Sequence, residues 1–157
     1  MELTAYTGQK EYARQIESYQ LPDEQILFSG LPATAIKLAE GDPDKYPIFL
    51  VDDQQLPVFF ILHKNEGVKP YTANDQAMLL RSFSTNFIYQ GMGYAKTALK
   101  ILDSYVHDHF PEINEIVLAV NAANQPAICL YQACGYQETG DVIKTEYGRL
   151  LILSKKL

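Results

Sequence analysis

Tryptophan is absent from the sequence, and cysteine and histidine are scarce. The spacing of Cys129 and Cys134 does not match a zinc site, and the three histidines (His63, His107 and His109) form no evident metal cluster with them. Long hydrophobic runs are also missing: segments such as Val58–Leu62 are far shorter than the roughly 20 apolar residues that a membrane-spanning helix needs. These absences argue against a metal centre and against a membrane span.

Basic residues are outnumbered by acidic ones, since 13 Lys and Arg against 19 Asp and Glu give a net charge of −6. A broad electropositive face for nucleic acid or anionic lipid is therefore not expected. The content of 47% hydrophobic and 20% charged residues is typical of a folded chain rather than a disordered one. The start of the sequence has no basic stretch followed by an apolar one, so a cytoplasmic protein with free thiols is predicted.

The hydrophobic pattern predicts a mixed α/β fold, with an α+β type of mixed sheet, and 157 residues fit one domain. The predicted strands are Glu2–Tyr6, Ile48–Val51, Val58–Leu62, Met78–Ser84, Ile116–Val120, Tyr136–Thr139 and Leu150–Leu153. The predicted helices span Gly8–Ser18, Leu31–Glu40, Tyr94–Val106 and the segment from Asn124, an N-cap, to Gly135 at C′. The remainder of Leu21–Asp44 is expected to be irregular.

The alternation of these elements predicts how the sheet is connected. Ile48–Val51 and Val58–Leu62 should form an antiparallel hairpin around the polar turn Asp52–Pro57. Met78–Ser84 and Ile116–Val120 flank a helix, so they should be parallel neighbours joined by a right-handed crossover.

The most informative segment is Gln90-Gly91-Met92-Gly93-Tyr94-Ala95, which follows a predicted strand and opens a predicted helix. Glycines allow a ligand close to the backbone, and a helix start offers unpaired N–H groups to a phosphate. A tight turn without a ligand would also use two glycines. A dinucleotide fingerprint would need a third glycine at Lys96, and a P-loop would need Gly-Lys-Ser/Thr, so neither motif is present.

Two patterns together resemble a known family. Gln90-x-x-Gly93-x-Ala95 is similar to the Gln/Arg-x-x-Gly-x-Gly/Ala motif of the GNAT acetyltransferase superfamily. Asn124-x-x-Ala127-x-x-Leu130-Tyr131-x-x-x-Gly135-Tyr136 resembles the second motif of that superfamily, which usually ends in Gly-Phe. Both occur in the expected order and at a typical separation, within about Met78 to Tyr136.

The resemblance implies a single three-layer GNAT-like domain over residues 1–157, with a splayed central pair of parallel strands that admits acetyl-CoA. The backbone of Phe83, Ser84 and Thr85 would contact pantetheine, and one of these N–H groups would point at the thioester oxygen. The backbone N–H groups of Gln90, Gly91, Met92, Gly93, Tyr94 and Ala95 would hold the pyrophosphate. Asn124 would cap its helix near the pantetheine arm, and Tyr131 would present its hydroxyl to the sulfur.

The acceptor and the general base remain open at the level of sequence. The resemblance implies direct transfer to a primary amine of a small molecule or peptide, by a monomer or homodimer. A non-catalytic acyl-CoA sensor, a longer acyl chain or an O-acceptor are alternatives. Arg81 on the central strand cannot act as a base. His63, Glu66 and Asp75 are weak candidates, because such residues are more often surface groups. Water relayed by backbone carbonyls is an equal alternative, so no base is assigned.

Overall fold

The computed structural model describes residues 1–157 and contains one mixed sheet of seven strands in the order β1-β2-β3-β4-β5-β7-β6. The strands are β1 (Glu2–Ala5), β2 (Lys45–Asp52), β3 (Gln55–His63), β4 (Ala77–Thr85), β5 (Glu115–Asn121), β6 (Gln137–Thr145) and β7 (Gly148–Lys156). The helices are α1 (Ala13–Ser18), α2 (Asp23–Ser29), α3 (Pro32–Ala39), α4 (Tyr94–His109) and α5 (Gln125–Ala133). β4 and β5 are parallel, and every other neighbouring pair is antiparallel.

Helices cover both faces of the sheet, which explains why β3 and β5 carry apolar residues that point to both sides. Along β3, Val58, Phe60 and Leu62 pack on the side of α4 and α5. Phe59 and Ile61 pack on the side of α1 and α3. The predicted three-layer mixed α/β architecture is therefore confirmed.

The central parallel pair separates soon after it begins. β4 pairs with β5 at Ala77–Leu79 and no further, so the rest of both strands diverges. A β-bulge against β3 lies in the diverging part of β4, where the register shifts between Arg81 and Ser84 and Ser82 has φ 56°. An extra residue in one strand bends that strand and increases its twist. The predicted splayed pair is confirmed, and the bulge contributes to its divergence.

The structure differs from the prediction in three peripheral elements. Helix α2 lies inside Leu21–Asp44, where sequence reasoning expected irregular chain apart from one helix. The predicted helix Gly8–Ser18 is a single 3₁₀ turn followed by the short α1. The closing hairpin is much longer than predicted, because β6 and β7 are joined by a tight turn at Glu146-Tyr147.

The connection between α1 and α2 is fixed to the end of β4 by buried hydrogen bonds. The Tyr19 hydroxyl donates to the Ser84 carbonyl oxygen at 2.8 Å and lies 2.9 Å from Ser84 Oγ. The backbone N–H of Phe87 donates to the Gln20 carbonyl at 2.8 Å, and the Gln20 N–H donates to Asn86 Oδ1 at 3.3 Å. This connection therefore places α2 beside the diverging part of β4.

Replacing Tyr19 with Phe should lower the free energy of unfolding by about 1–3 kcal/mol, because a buried hydrogen-bonded hydroxyl is lost and its acceptors stay buried. Urea denaturation of the purified protein measures this change. Tyr12→Phe is the matched control, since Tyr12 packs against Phe49 and its hydroxyl makes no hydrogen bond within the chain. Equal stability losses in the two variants would contradict the proposed anchoring.

Candidate active site

A cleft of about 890 Å³ opens where β4 and β5 diverge. Its walls come from the end of β4, the loop before α4, the end of β5 and the start of α5. Helix α2 lines the cleft from the side of the sheet opposite to α4 and α5, through Glu24, Gln25, Phe28 and Ser29. The cleft thus connects the two faces of the sheet through the gap between its parallel strands.

One rim of the cleft carries unpaired backbone donors at Gly91 and from Gly93 to Lys96, while Met92 between them is exposed and does not line the cleft. No N–H group from Gly91 to Lys96 has an acceptor within the chain, and the first intrahelical bond of α4 runs from Thr97 N to Gly93 O at 3.1 Å. Gly91 and Gly93 have φ of 79° and 84°, which any other residue adopts with strain. No atom lies within 4 Å of the Cβ position at either glycine. The rim is therefore open, and the helix start adds partial positive charge to it.

Gln90 is built differently from the residues that follow it, and its predicted role needs correction. Its backbone N–H already donates to the Phe87 carbonyl at 3.2 Å. Its side-chain Nε2 donates to the Thr85 carbonyl and to Gln25 Oε1, both at 2.9 Å. The Gln90 side chain therefore connects the loop before α4 to β4 and α2. The backbone N–H of Gln90 is not free, whereas that of Lys96 is.

Two of the three predicted β4 residues direct their backbone toward the gap. The N–H of Asn86 donates to Pro57 of β3, so the alternation of an antiparallel ladder directs Ser84 to β3 as well. The backbone groups of Phe83 and Thr85, on either side of Ser84, then point to the edge of β4 that is not paired with β5. Ser84 requires correction, since its carbonyl also accepts from Tyr19.

Tyr131 projects from α5 into the cleft and is 8% exposed. Its ring makes edge contacts with Phe83 at 6.0 Å and with Tyr136 at 5.9 Å between centroids. Burial raises the pKa of the Tyr131 phenol, and no hydrogen bond within the chain offsets this effect. The hydroxyl is therefore protonated at neutral pH and free to donate.

Asn124 is the N-cap of α5, as the sequence predicts: its Oδ1 accepts from the N–H of Ala127 at 3.3 Å. It also lines the cleft. Pro126 lies in the first turn of α5 and Gly135 has φ 96° after its last turn, so both predicted signals are confirmed.

None of the three weak base candidates lines the cleft. His63 is buried beneath it, Glu66 pairs with Lys69 at 2.6 Å, and Asp75 lies in a loop. Glu24 is the carboxylate that lines the cleft, and sequence reasoning missed it together with α2. The acidic pair Asp23-Glu24 after Pro22 is a helix-start signal that could have indicated this element.

The side chains form no group of three or more His, Cys, Asp and Glu residues that could hold a metal ion. None of the helices combines the length and the apolar character that crossing a membrane requires.

Solved structures share this fold over nearly the whole chain. A chimera of the spermidine N-acetyltransferase SpeG from Vibrio cholerae and hSSAT matches with a TM-score of 0.72 at 19% identity, over 99% of this chain and 96% of the other. An aminoglycoside acetyltransferase, AAC(6')-Ib in complex with coenzyme A and kanamycin, matches with a TM-score of 0.74 at 12% identity, over 99% and 95%. At these identities the similarity shows the fold alone.

Sequence comparison gives the family directly. An uncharacterized N-acetyltransferase of Bacillus subtilis (strain 168), YbbJ, is 37% identical over 145 residues, which cover 91% of this chain and 90% of the relative. The family model for the acetyltransferase (GNAT) family matches residues 13–136, which include both sequence motifs, the unpaired donor rim and Tyr131. The chain therefore belongs to the GNAT acetyltransferase family.

Proposed function

We propose that residues 1–157 form a single domain that transfers an acetyl group from acetyl-CoA directly to a primary amine of a small molecule or peptide. Membership of the GNAT family makes the chain an acyltransferase. The observation that supports the residue-level proposal is the position of two features in one cleft. Free backbone N–H groups lie on its rim, and the hydroxyl of the buried Tyr131, which has no hydrogen-bond partner within the chain, lies inside it.

Acetyl-CoA, the acetyl donor, would lie along the gap between β4 and β5. Its pyrophosphate fits the free N–H groups from Gly91 to Lys96, because a helix start offers both hydrogen bonds and partial positive charge to an anion. Its pantetheine arm fits the open edge of β4 at Phe83 and at the N–H of Thr85, whose carbonyl already accepts from Gln90. CoA carries several negative charges and the protein has a net charge of −6, so these local donors must supply the binding energy.

The reaction is attack by the amine lone pair on the thioester carbonyl carbon. A C–N bond forms, the C–S bond breaks, the amine loses one proton, and the CoA sulfur leaves as a thiolate that takes up a proton. Holding both reactants in one cleft removes up to about 7–11 kcal/mol of the entropic barrier in favourable cases. A backbone N–H of β4 aimed at the developing oxyanion would contribute roughly 3–4 kcal/mol.

Tyr131 would stabilise the leaving thiolate. A free thiol has a pKa of about 8.5 and a free phenol of about 10, so the phenol is the weaker acid even before burial raises its pKa further. Complete proton transfer from Tyr131 to sulfur is therefore uphill. Donation of a hydrogen bond to the sulfur needs no such transfer, and this is the role that the protonated hydroxyl fits.

Cys129 and Cys134 are not needed as nucleophiles, because the transfer is direct. Cys129 is exposed on α5, Cys134 is buried, and both are free thiols. Reduced cysteines are typical of a reducing compartment, and we accordingly propose the cytoplasm as the location.

A thiol-release assay tests the function. The protein is incubated with acetyl-CoA and a panel of amines, and free CoA thiol is measured over time. An acetyltransferase releases CoA only when its acceptor is present. Stabilisation by acetyl-CoA with no acceptor-dependent release would instead favour a non-catalytic acyl-CoA sensor.

Replacing Tyr131 with Phe should lower kcat by about 10–100-fold, with acetyl-CoA binding largely retained, because the thiolate loses its hydrogen-bond donor. Steady-state thiol release and a thermal-shift titration measure the two quantities. Since burial keeps the phenol protonated, ionisation of Tyr131 should not reduce the wild-type rate below about pH 10.

Tyr136→Phe is the matched control for the Tyr131 variant. The Tyr136 hydroxyl is buried without a hydrogen-bond partner, and its ring contacts Tyr131. This variant should keep full turnover. If Tyr131→Phe also keeps full turnover, Tyr131 has no part in the reaction.

Replacing Gly93 with Asp should abolish most of the thermal stabilisation by acetyl-CoA, because a carboxylate on the donor rim repels the pyrophosphate and occupies its space. Gly8→Asp is the control, since Gly8 has a similar φ of 87°, no atoms near its Cβ position and no part in the cleft. Both variants add the same charge at a glycine of similar φ. Full stabilisation of the Gly93 variant by acetyl-CoA would show that the phosphate site is elsewhere.

A further inference from the structure

We infer that the acceptor carries a carboxylate close to its amine, as an amino acid does, and that the Arg81 guanidinium binds this carboxylate. The inference rests on the proposed acetyltransferase function and adds the substrate class. It is carried by the position of Arg81 in the cleft, by its lack of an acidic partner and by the contact that orients it.

Arg81 lies on the acceptor side of the cleft. In β4 it comes two residues after the last pairing with β5, so it belongs to the diverging segment and lines the gap. It pairs across the sheet with Ile61, whose side chain packs on the face of α1 and α3. Directly opposite residues of an antiparallel pair share a face. The guanidinium is therefore on the face of α1 and α3, where Leu21 and Leu31 on either side of α2 also pack, whereas Tyr131 is on the face of α4 and α5.

The Arg81 guanidinium has no acidic partner. It takes part in none of the ion pairs of the structure, although the chain has 19 acidic residues. It stacks on no aromatic ring. The Arg81 side chain is exposed, lines the cleft and is held by His63 and not by a carboxylate, so its charge is available to an anionic ligand there.

His63 orients this side chain from beneath. Arg81 Nη1 lies 3.2 Å from His63 Nδ1, and burial and the nearby charge of Arg81 lower the pKa of His63, so the ring is neutral and Nδ1 accepts. Gly67 lies against the ring, where any Cβ would collide with it, and Asp42 Oδ2 is 3.9 Å from Nε2. This contact uses one N–H of the guanidinium and leaves the others for the cleft.

The remaining donors match a carboxylate. Guanidinium and carboxylate form two parallel charge-assisted hydrogen bonds, which are among the stronger polar contacts in proteins. Glu24 also lines the cleft, from α2, so the cleft offers one carboxylate and one guanidinium to a ligand that carries both charges. A polyamine acceptor offers only positive charges, and Arg81 would repel them.

The experiment compares acceptors that differ only in this group. Thiol release from acetyl-CoA is measured with L-leucine and L-phenylalanine, with their carboxamides, and with spermidine. Wild-type kcat/KM should be at least about 10-fold higher for the amino acids than for the carboxamides. The carboxamides have the less basic amines and so a larger neutral fraction at pH 7.5, which acts against the expected result and makes it more decisive.

Arg81→Met should remove this preference, mainly through a higher KM for the amino acids, while acetyl-CoA still stabilises the variant. Arg81→Lys keeps the charge but cannot form two parallel hydrogen bonds, so it should show more of the preference than Arg81→Met does. Arg14→Met is the control, because Arg14 is an exposed arginine of α1 outside the cleft and should leave all these values unchanged.

Two results would overturn the inference while leaving the proposed function intact. One is a wild-type enzyme that prefers spermidine or the carboxamides. The other is an Arg81→Met variant that keeps the preference for amino acids, or loses activity equally with every acceptor. The absence both of stabilisation by acetyl-CoA and of acceptor-dependent thiol release would instead overturn the proposed function, and this inference with it.

Discussion

The divergence of β4 from β5 is the structural constraint on which every proposed function of this molecule depends. Two neighbouring strands normally satisfy each other's backbone groups along their full length. Here the pairing stops at Leu79 and Val117, and the bulge after Arg81 contributes to bending β4 away. The separation leaves a strand edge with free backbone groups and makes a passage between the two faces of the sheet. Both reactants could then meet in this passage from opposite sides.

The same divergence separates the side of the cleft proposed for acetyl-CoA from the side proposed for the acceptor. Phe83, beyond the bulge, contacts Tyr131 on the side of α4 and α5. Arg81, before the bulge, lies on the side of α2. Within a few residues one strand thus contributes to both walls of the cleft. The connection held by Tyr19 and Asn86 keeps α2 beside this segment, so the side of the cleft proposed for the acceptor depends on a buried hydroxyl as well as on strand pairing.

Much of the architecture can be predicted from the sequence because its central elements carry strong local signals. The glycine turn, the apolar stripe of α4, and Asn124 and Gly135 at the two ends of α5 are visible as patterns of single residues. Helix α2 gives a weak signal, since it has seven residues and leaves Leu27 and Phe28 exposed. The exposed strand β6 has no hydrophobic alternation, so its length is set by pairing with β7 and not by its own residues.

The site was harder to predict where its function depends on contacts between distant segments. Nothing in the sequence indicates that Ser84 faces β3, that the Gln90 amide is already bonded, or that His63 lies under Arg81. These facts follow from strand register and burial. The central claim, that the gap between β4 and β5 holds the donor, is tested most directly by a crystal structure of the protein with acetyl-CoA. The account predicts the diphosphate within hydrogen-bond distance of the backbone N–H groups from Gly91 to Lys96, with the thioester sulfur next to the Tyr131 hydroxyl. A cofactor bound elsewhere, with the gap filled by side chains, would contradict it.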